Sequence, residues 1–315
     1  MMAADQTPTH LINSMPSVRG DLKPDEALSR YTWFKVGGPA EVLFRPADEE
    51  DLCEFLSQIP ADVPVSIIGN ASNLLVRDGG VPGVVIRLGR AFSEVEITGA
   101  QVRVGAAAAD LSVARKARDN AISGLEFLSG IPGTMGGAVR MNAGAYGDEI
   151  KDVCRSVRAI DRNGKIHELN ASDLGFGYRR STLDPSWIIT QVMLQGKPGV
   201  TLDITKRMEK IQFDREQNQP VRTLTGGSTF ANPKDHKAWQ LIDQAGCRGL
   251  VRGGAMVSNL HCNFLVNTGN ATAADIEGLG EEVRRRVFEK FGVTLEWEIR
   301  RMGIPALQGI KEVYQ

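Results

Sequence analysis

The sequence predicts an α+β chain of two or three domains, and three observations carry that expectation. Short β-like runs alternate with amphipathic helices from Tyr31 onward. Two segments alternate in polarity about turn dipeptides, one at Thr98-Gly99 and one at Asn163-Gly164, as hairpins do. A chain of 315 residues, 42% of them hydrophobic, has more apolar material than one small core uses.

Residues 1–20 are polar, Pro-containing and aperiodic, and are expected to form a flexible leader. A first domain over 21–88 holds a strand at Glu41–Phe44 and an Asp48-capped helix with Leu52, Phe55 and Leu56 on one face. It continues with strand candidates at Val65–Ile68 and Val84–Leu88. A β-rich second domain over 89–199 carries both hairpins, with a helix near Leu111–Asp119 between them. A third over 200–303 has helices at Asp203–Asp214 and at Lys237–Ala245, the latter stopped by Gly246. Its helix from Thr272 opens on a Thr-x-x-Asp cap, lines up Ile276, Leu279, Val283 and Val287, and is followed by a closing strand. The Arg284-Arg285-Arg286 run on that helix reads as a solvated face, and residues 304–315 as a tail.

Lys and Arg total 37 against 38 Asp and Glu, so no net field holds nucleic acid or an anionic membrane, and an anionic ligand must be gripped locally. Cys53, Cys154, Cys247 and Cys262 show no CxxC spacing, and the four histidines form no ligand pattern, which predicts neither a metal site nor a disulfide framework. The N-terminal residues do not read as a signal peptide and no apolar run approaches bilayer length, so a cytoplasmic protein without membrane insertion is expected.

Five motifs bear on chemistry. The turn Gly69, Asn70, Ala71, Ser72, Asn73, Leu74 follows a strand, where backbone N–H groups can converge on a phosphate; an ordinary turn is the plainer reading. Gly130, Ile131, Pro132, Gly133, Thr134, Met135, Gly136, Gly137 lets a backbone approach a flat or charged ligand without Cβ atoms in the way. It is neither GxGxxG nor a P-loop. In Gly177-Tyr178-Arg179-Arg180-Ser181 a guanidinium suits a carboxylate or phosphate, although a surface Arg pair is the bland alternative. Ser228, in the run from Gly226 to Pro233, reads locally as a helix-entry cap or as a proton donor, and GxSxG is absent. Glu296 and Glu298 alternate with apolar residues as one face of a strand does; such a face is usually solvated, whereas a carboxylate held beside Trp297 or inside a cleft would act on protons.

Seven segments in one order, TWFKVGGPA, IGNASNLLVRDGG, SGIPGTMGGAVRMNAGAYG, GYRRS, GGSTFANP, GGAMVSNLHCNFLVN and LEWEIRRMG, closely resemble the UDP-N-acetylenolpyruvoylglucosamine reductase (UDP-N-acetylmuramate dehydrogenase) family from Thr32 to Gly303. The resemblance implies a two-subdomain FAD-binding fold of the vanillyl-alcohol-oxidase type plus a C-terminal α+β substrate domain. It implies noncovalent FAD, NADPH as hydride donor, and reduction of UDP-N-acetylglucosamine enolpyruvate to UDP-N-acetylmuramate for peptidoglycan. It assigns Arg179, Ser228 and Glu298 as the catalytic set, with Arg179 also near the cofactor, residues 70–73 at the FAD pyrophosphate and residues 130–137 beside the flavin. Tyr146, Arg215 and Asn232 are expected on the nucleotide-sugar side, and a monomer is expected.

The chain departs from the family pattern where Ala71 stands in place of a frequent Gly, so Ala71 is expected to sit in a backbone that does not demand glycine. Ala231 replaces a basic residue, and the short stretch between Arg179 and Ser228 resembles the subgroup lacking an inserted Tyr loop. The rival readings are another FAD oxidoreductase of the same superfamily and a noncatalytic nucleotide-sugar-binding module.

Overall fold

The computed structural model describes residues 10–306, and the expectations for 1–9 and 307–315 lie outside them. The chain is α+β and forms two compact units. The first takes residues up to Glu26, Glu41–Asn70 and Gly83–Gln217; the second takes Ala27–Ala40, Ala71–Pro82 and the chain from Asn218 on.

The first unit has two cores. One lies beside a four-stranded sheet in the order Asp21–Ala27, Pro39–Arg45, Val81–Ile86, Val65–Ile67. The helix Glu49–Gln58 covers it with Leu52, Phe55 and Leu56, and Asp48 accepts the Asp51 N–H as its cap. The expected leader differs here: Leu11–Ser14 form a 3-10 turn, and Leu11, Ile12, Met15 and Val18 pack on this core. Burial of those side chains repays the ordering that a polar composition alone does not. Asp51, 2% exposed, ties the segment down by accepting the amides of Arg19 and Gly20.

The second core belongs to a five-stranded sheet in the order Ile166–Asn170, Cys154–Ile160, Ile188–Gln195, Gln101–Gly105, Val95–Thr98. Its two hairpins turn at Gly99 (φ 60°) and Gly164 (φ 78°), a left-handed geometry that glycine adopts at least cost. The helix Asp110–Asp119 and a short helix Met135–Arg140 pack on this core, and so does Thr201–Asn218 through Ile204 and Met208. The boundary expected at 199/200 therefore stands at 217/218.

The second unit is built on an antiparallel sheet in the order Leu224–Ser228, Phe264–Asn267, Ala255–Val257, Val251–Arg252. The helix Ala273–Phe291 buries Ile276, Leu279, Val283 and Val287 against it, behind a Thr272/Asp275 capping box. Arg284, Arg285 and Arg286 pair with Glu281, Glu282 and Glu289 along the same helix. Phe34, Val36 and Leu75, assigned by sequence to the first domain, belong to this core, and Leu74–Val76 pairs in parallel with Arg300–Met302. No helix among the described residues is long and apolar enough to cross a membrane.

Candidate active site

In the first unit, Asn70 and the Gly130–Gly137 segment are joined directly: Asn70 Nδ2 donates to the Gly133 carbonyl at 3.2 Å. The glycine-rich segment is not loop throughout, because its second half winds into the helix Met135–Arg140. The Met135 and Gly136 amides donate to Ala108 and Ala106 carbonyls at 3.0 and 2.9 Å, so these two N–H groups are committed to the protein. A cavity opens beside this junction, lined among others by Gly69, Asn70, Thr134, Gly136, Gly137 and Trp187.

Glycine is required at these positions for two different reasons. A Cβ on Gly69 would stand 2.3 Å from Thr134 Oγ1, so two loops could not pack as closely. A Cβ on Gly137 would find only Thr134 Oγ1, at 3.7 Å, and would instead occupy cavity space. The protein itself has no need of glycine there, whereas a ligand lying against the backbone does. The backbone of Gly69, Asn70, Gly136 and Gly137 lines this cavity and would be the part of the wall to hold a flat, phosphate-bearing cofactor such as FAD.

Sequence reasoning missed two residues beside the cavity. Trp187 lines it with its ring stacked on His167, centroids 4.3 Å apart. Asp110 lies buried against Gly133. The only local signal for Asp110 is a lone acid closing the apolar run Ala106–Ala109; Trp187 gives none.

The same unit brings Tyr146 and Arg215 together. Tyr146 (φ 57°) sits on Gly130, where a Cβ would meet its ring at 2.9 Å, and its hydroxyl donates to the Ile211 carbonyl at 3.2 Å. One turn on, burial lowers the Arg215 guanidinium from its usual value, and its buried Nε has no hydrogen-bond partner among the described residues. Burial likewise raises the Tyr146 phenol. Such a half-desolvated cation beside a phenol is suited to an anionic partner.

Arg179 sits in a tight turn closed by reciprocal Gly177–Arg180 backbone bonds of 3.0 and 3.3 Å. Its backbone takes a left-handed φ of 54°, so Arg179 and Arg180 lie in a turn and not in a strand. Asn142 Nδ2 supports the turn by donating to the Gly177 carbonyl at 3.0 Å and to Glu149 at 2.9 Å. Lys151, then Asn142 and more weakly Arg179, hold the Glu149 carboxyl below its usual range.

In the second unit, Ala71 to Asn73 lie near Gly227 and the Glu298 backbone. Ala71 takes φ 49°, a left-handed conformation that glycine would hold more easily; the chain tolerates it because αL is open to alanine at a cost. The Ser72 carbonyl stands 4.0 Å from a Cβ on Gly227, and Asn73 Nδ2 donates to the Glu298 carbonyl at 3.1 Å. Leu74 begins the strand Leu74–Val76.

Ser228 ends the strand Leu224–Ser228 after a register shift at Gly226-Gly227. It is not a helix-entry cap: the next helix is Ala238–Gln244, and Asn232 Oδ1 accepts the Ala238 N–H at 3.0 Å. Asn232 thus has a structural task that its sequence position did not suggest. The Leu295–Ile299 segment is extended without forming a strand, bridged once at Phe230–Trp297. The Glu298 N–H donates to the Thr229 carbonyl at 2.8 Å, which sets Glu298 next to the Ser228–Thr229 backbone.

A family model described as an FAD binding domain matches residues 40–170, and one described as the C-terminal domain of UDP-N-acetylenolpyruvoylglucosamine reductase matches 219–302. The UDP-N-acetylenolpyruvoylglucosamine reductase of Parvibaculum lavamentivorans is 60% identical over 309 residues, covering 98% of this chain and 99% of that protein. The protein of the same name from Azorhizobium caulinodans is 56% identical, covering 94% and 96%. A crystal structure of UDP-N-acetylenolpyruvylglucosamine reductase from Thermus caldophilus aligns with a TM-score of 0.79 at 38% identity, over 91% of this chain and 100% of that one. With relatives this similar over almost their whole length, the chain belongs to the UDP-N-acetylenolpyruvoylglucosamine reductase family.

Proposed function

We propose that the protein reduces the enolpyruvyl ether of UDP-N-acetylglucosamine enolpyruvate to UDP-N-acetylmuramate, drawing its reducing equivalents from NADPH, as a step toward peptidoglycan. The observation that carries this reading is near end-to-end similarity to reductases of that name, together with a glycine-lined cavity whose Gly137 leaves room for a ligand. FAD, when bound, supplies the hydride that the vinyl carbon receives.

The remaining chemistry belongs to side chains of this chain. Hydride addition leaves negative charge on the carbon next to the substrate carboxylate, and a positioned guanidinium such as Arg179 stabilises its enolate form. Arg179 stands in a left-handed turn closed by the Gly177–Arg180 backbone bonds. Ser228 delivers the proton that completes reduction, and Glu298, bonded through its backbone to Thr229, polarises or positions that proton. Tyr146 and Arg215 grip the anionic nucleotide sugar. Asn232 serves the substrate through the amide nitrogen that its capping role leaves over. A nucleotide-sugar substrate suits a cytoplasmic enzyme.

The test is an anaerobic visible spectrum of purified protein, followed by NADPH and then by the enolpyruvyl substrate. Flavin absorbance that bleaches with NADPH and returns only with substrate is expected. A colourless protein that cannot be reconstituted with FAD overturns the reading.

A further inference from the structure

Asp110 opens the helix Asp110–Asp119 and is 0% exposed. Neither of its carboxyl oxygens has a hydrogen-bond partner among the described residues. An unsatisfied buried carboxyl costs stability that an apolar residue of similar size would not, so its presence calls for a reason outside the packing. The neighbouring core positions Val113, Ala114 and Ala117 are apolar and supply none.

Its contacts point to the glycine-rich segment. The Asp110 N–H donates to the Gly133 carbonyl at 3.3 Å, and a Cβ on Gly133 would stand 2.7 Å from Asp110 Oδ2. The same Gly133 carbonyl accepts Asn70 Nδ2, and Thr134 bridges to Ala109. The peptide that leads into Thr134, Gly136 and Gly137 on the cavity wall is therefore held by the Asn70 side chain and the Asp110 main-chain N–H, with the Asp110 carboxyl packed against Gly133. Burial raises the Asp110 carboxyl well above the usual carboxylate range, and the Gly133 amide pulls weakly the other way without closing a hydrogen bond.

We propose that Asp110 is a positioning residue for the cofactor, setting the Gly133 peptide, and through it Thr134 to Gly137, in the path that receives FAD. This rests on the FAD-dependent reading above. The test compares deflavinated wild type, Asp110→Asn and Asp110→Leu by two measurements: FAD affinity from flavin fluorescence quenching, and the melting temperature of the apoprotein. Asp110→Leu is expected to melt at or above wild type while its FAD Kd rises by about tenfold or more; Asp110→Asn, which keeps a polar group against Gly133, stays within about threefold. Wild-type affinity in Asp110→Leu would overturn the proposal. So would an Asn variant as weak as Leu, or a Leu variant whose apoprotein stability falls in step with affinity, the mark of a merely structural residue. Wild-type apoprotein that takes up no FAD would instead overturn the functional reading, and the same titration distinguishes the two.

Discussion

Arg77 and Glu277 stand 200 positions apart in the chain and meet in a two-pronged ion pair, Nε to Oε2 at 2.9 Å and Nη2 to Oε1 at 2.8 Å. Arg301 joins it at 3.0 Å. The Arg77 hydrogen bond holds the Glu277 carboxyl below its usual range despite burial that acts the other way. Replacing Glu277 by Gln is expected to cost about 1–2 kcal/mol at neutral pH, the scale of a charge-assisted hydrogen bond. Because the folded-state value is lowered, this contribution is complete above the ordinary Glu pKa of about 4.3 and is lost as pH falls through the lower folded value. Urea midpoints of wild type and Glu277→Gln should differ at pH 7 and converge in acid; a gap unchanged at about pH 3 would contradict the assignment.

Gly280 sits within the helix Ala273–Phe291, where alanine is the better helix former by about 1 kcal/mol. An added Cβ would stand 2.2 Å from Trp297 Cη2, however, and that indole is fixed by its Nε1–H donating to Glu281 at 2.7 Å. Overpacking of this kind costs about 1–3 kcal/mol, so Gly280→Ala should lower stability on balance. A urea midpoint at or above wild type would show that the ring yields freely.

Asn232→Ala removes the acceptor for the Ala238 N–H and should cost about 1 kcal/mol in thermal unfolding. Asn232→Asp keeps that acceptor. If the side-chain amide also serves substrate, the Asp variant should hold its melting temperature while KM for the enolpyruvyl substrate rises about tenfold. An unchanged KM would leave Asn232 as a cap alone.

Ser228→Ala should leave a yellow, folded protein that NADPH bleaches at the wild-type rate, while colour returns about 100-fold or more slowly with enolpyruvyl substrate, the range lost with a proton donor. Stopped-flow absorbance separates the two half-reactions. Unchanged reoxidation would remove Ser228 from the chemistry.

Where local chemistry decides structure, the chain was readable in advance. Asn163-Gly164 fixes its hairpin, and Thr272 with Asp275 fixes the start of a helix whose stripe is buried as spaced. Reading failed where partners distant in sequence decide. Leu295–Ile299 alternates like a strand, yet it bridges to a neighbour only at Phe230–Trp297. Met135–Arg140 is helical despite a glycine pair because Ala106 and Ala108 hold its first turn. Glycine and serine motifs marked the neighbourhood of the candidate site; Asp110 and Trp187 carry no motif, since their positions depend on the fold around them.

The parallel pairing of Leu74–Val76 with Arg300–Met302 sets an order of events during synthesis. Every segment of the first unit has been made once Gln217 emerges, so that unit has its whole core while the ribosome is still translating. The strand Leu74–Val76, by contrast, waits for a partner 226 positions downstream. Until then the strand that carries Leu75, wholly buried in the finished protein, has an unpaired edge, and a nascent chain stalled before residue 300 would present that edge to chaperones or to other chains.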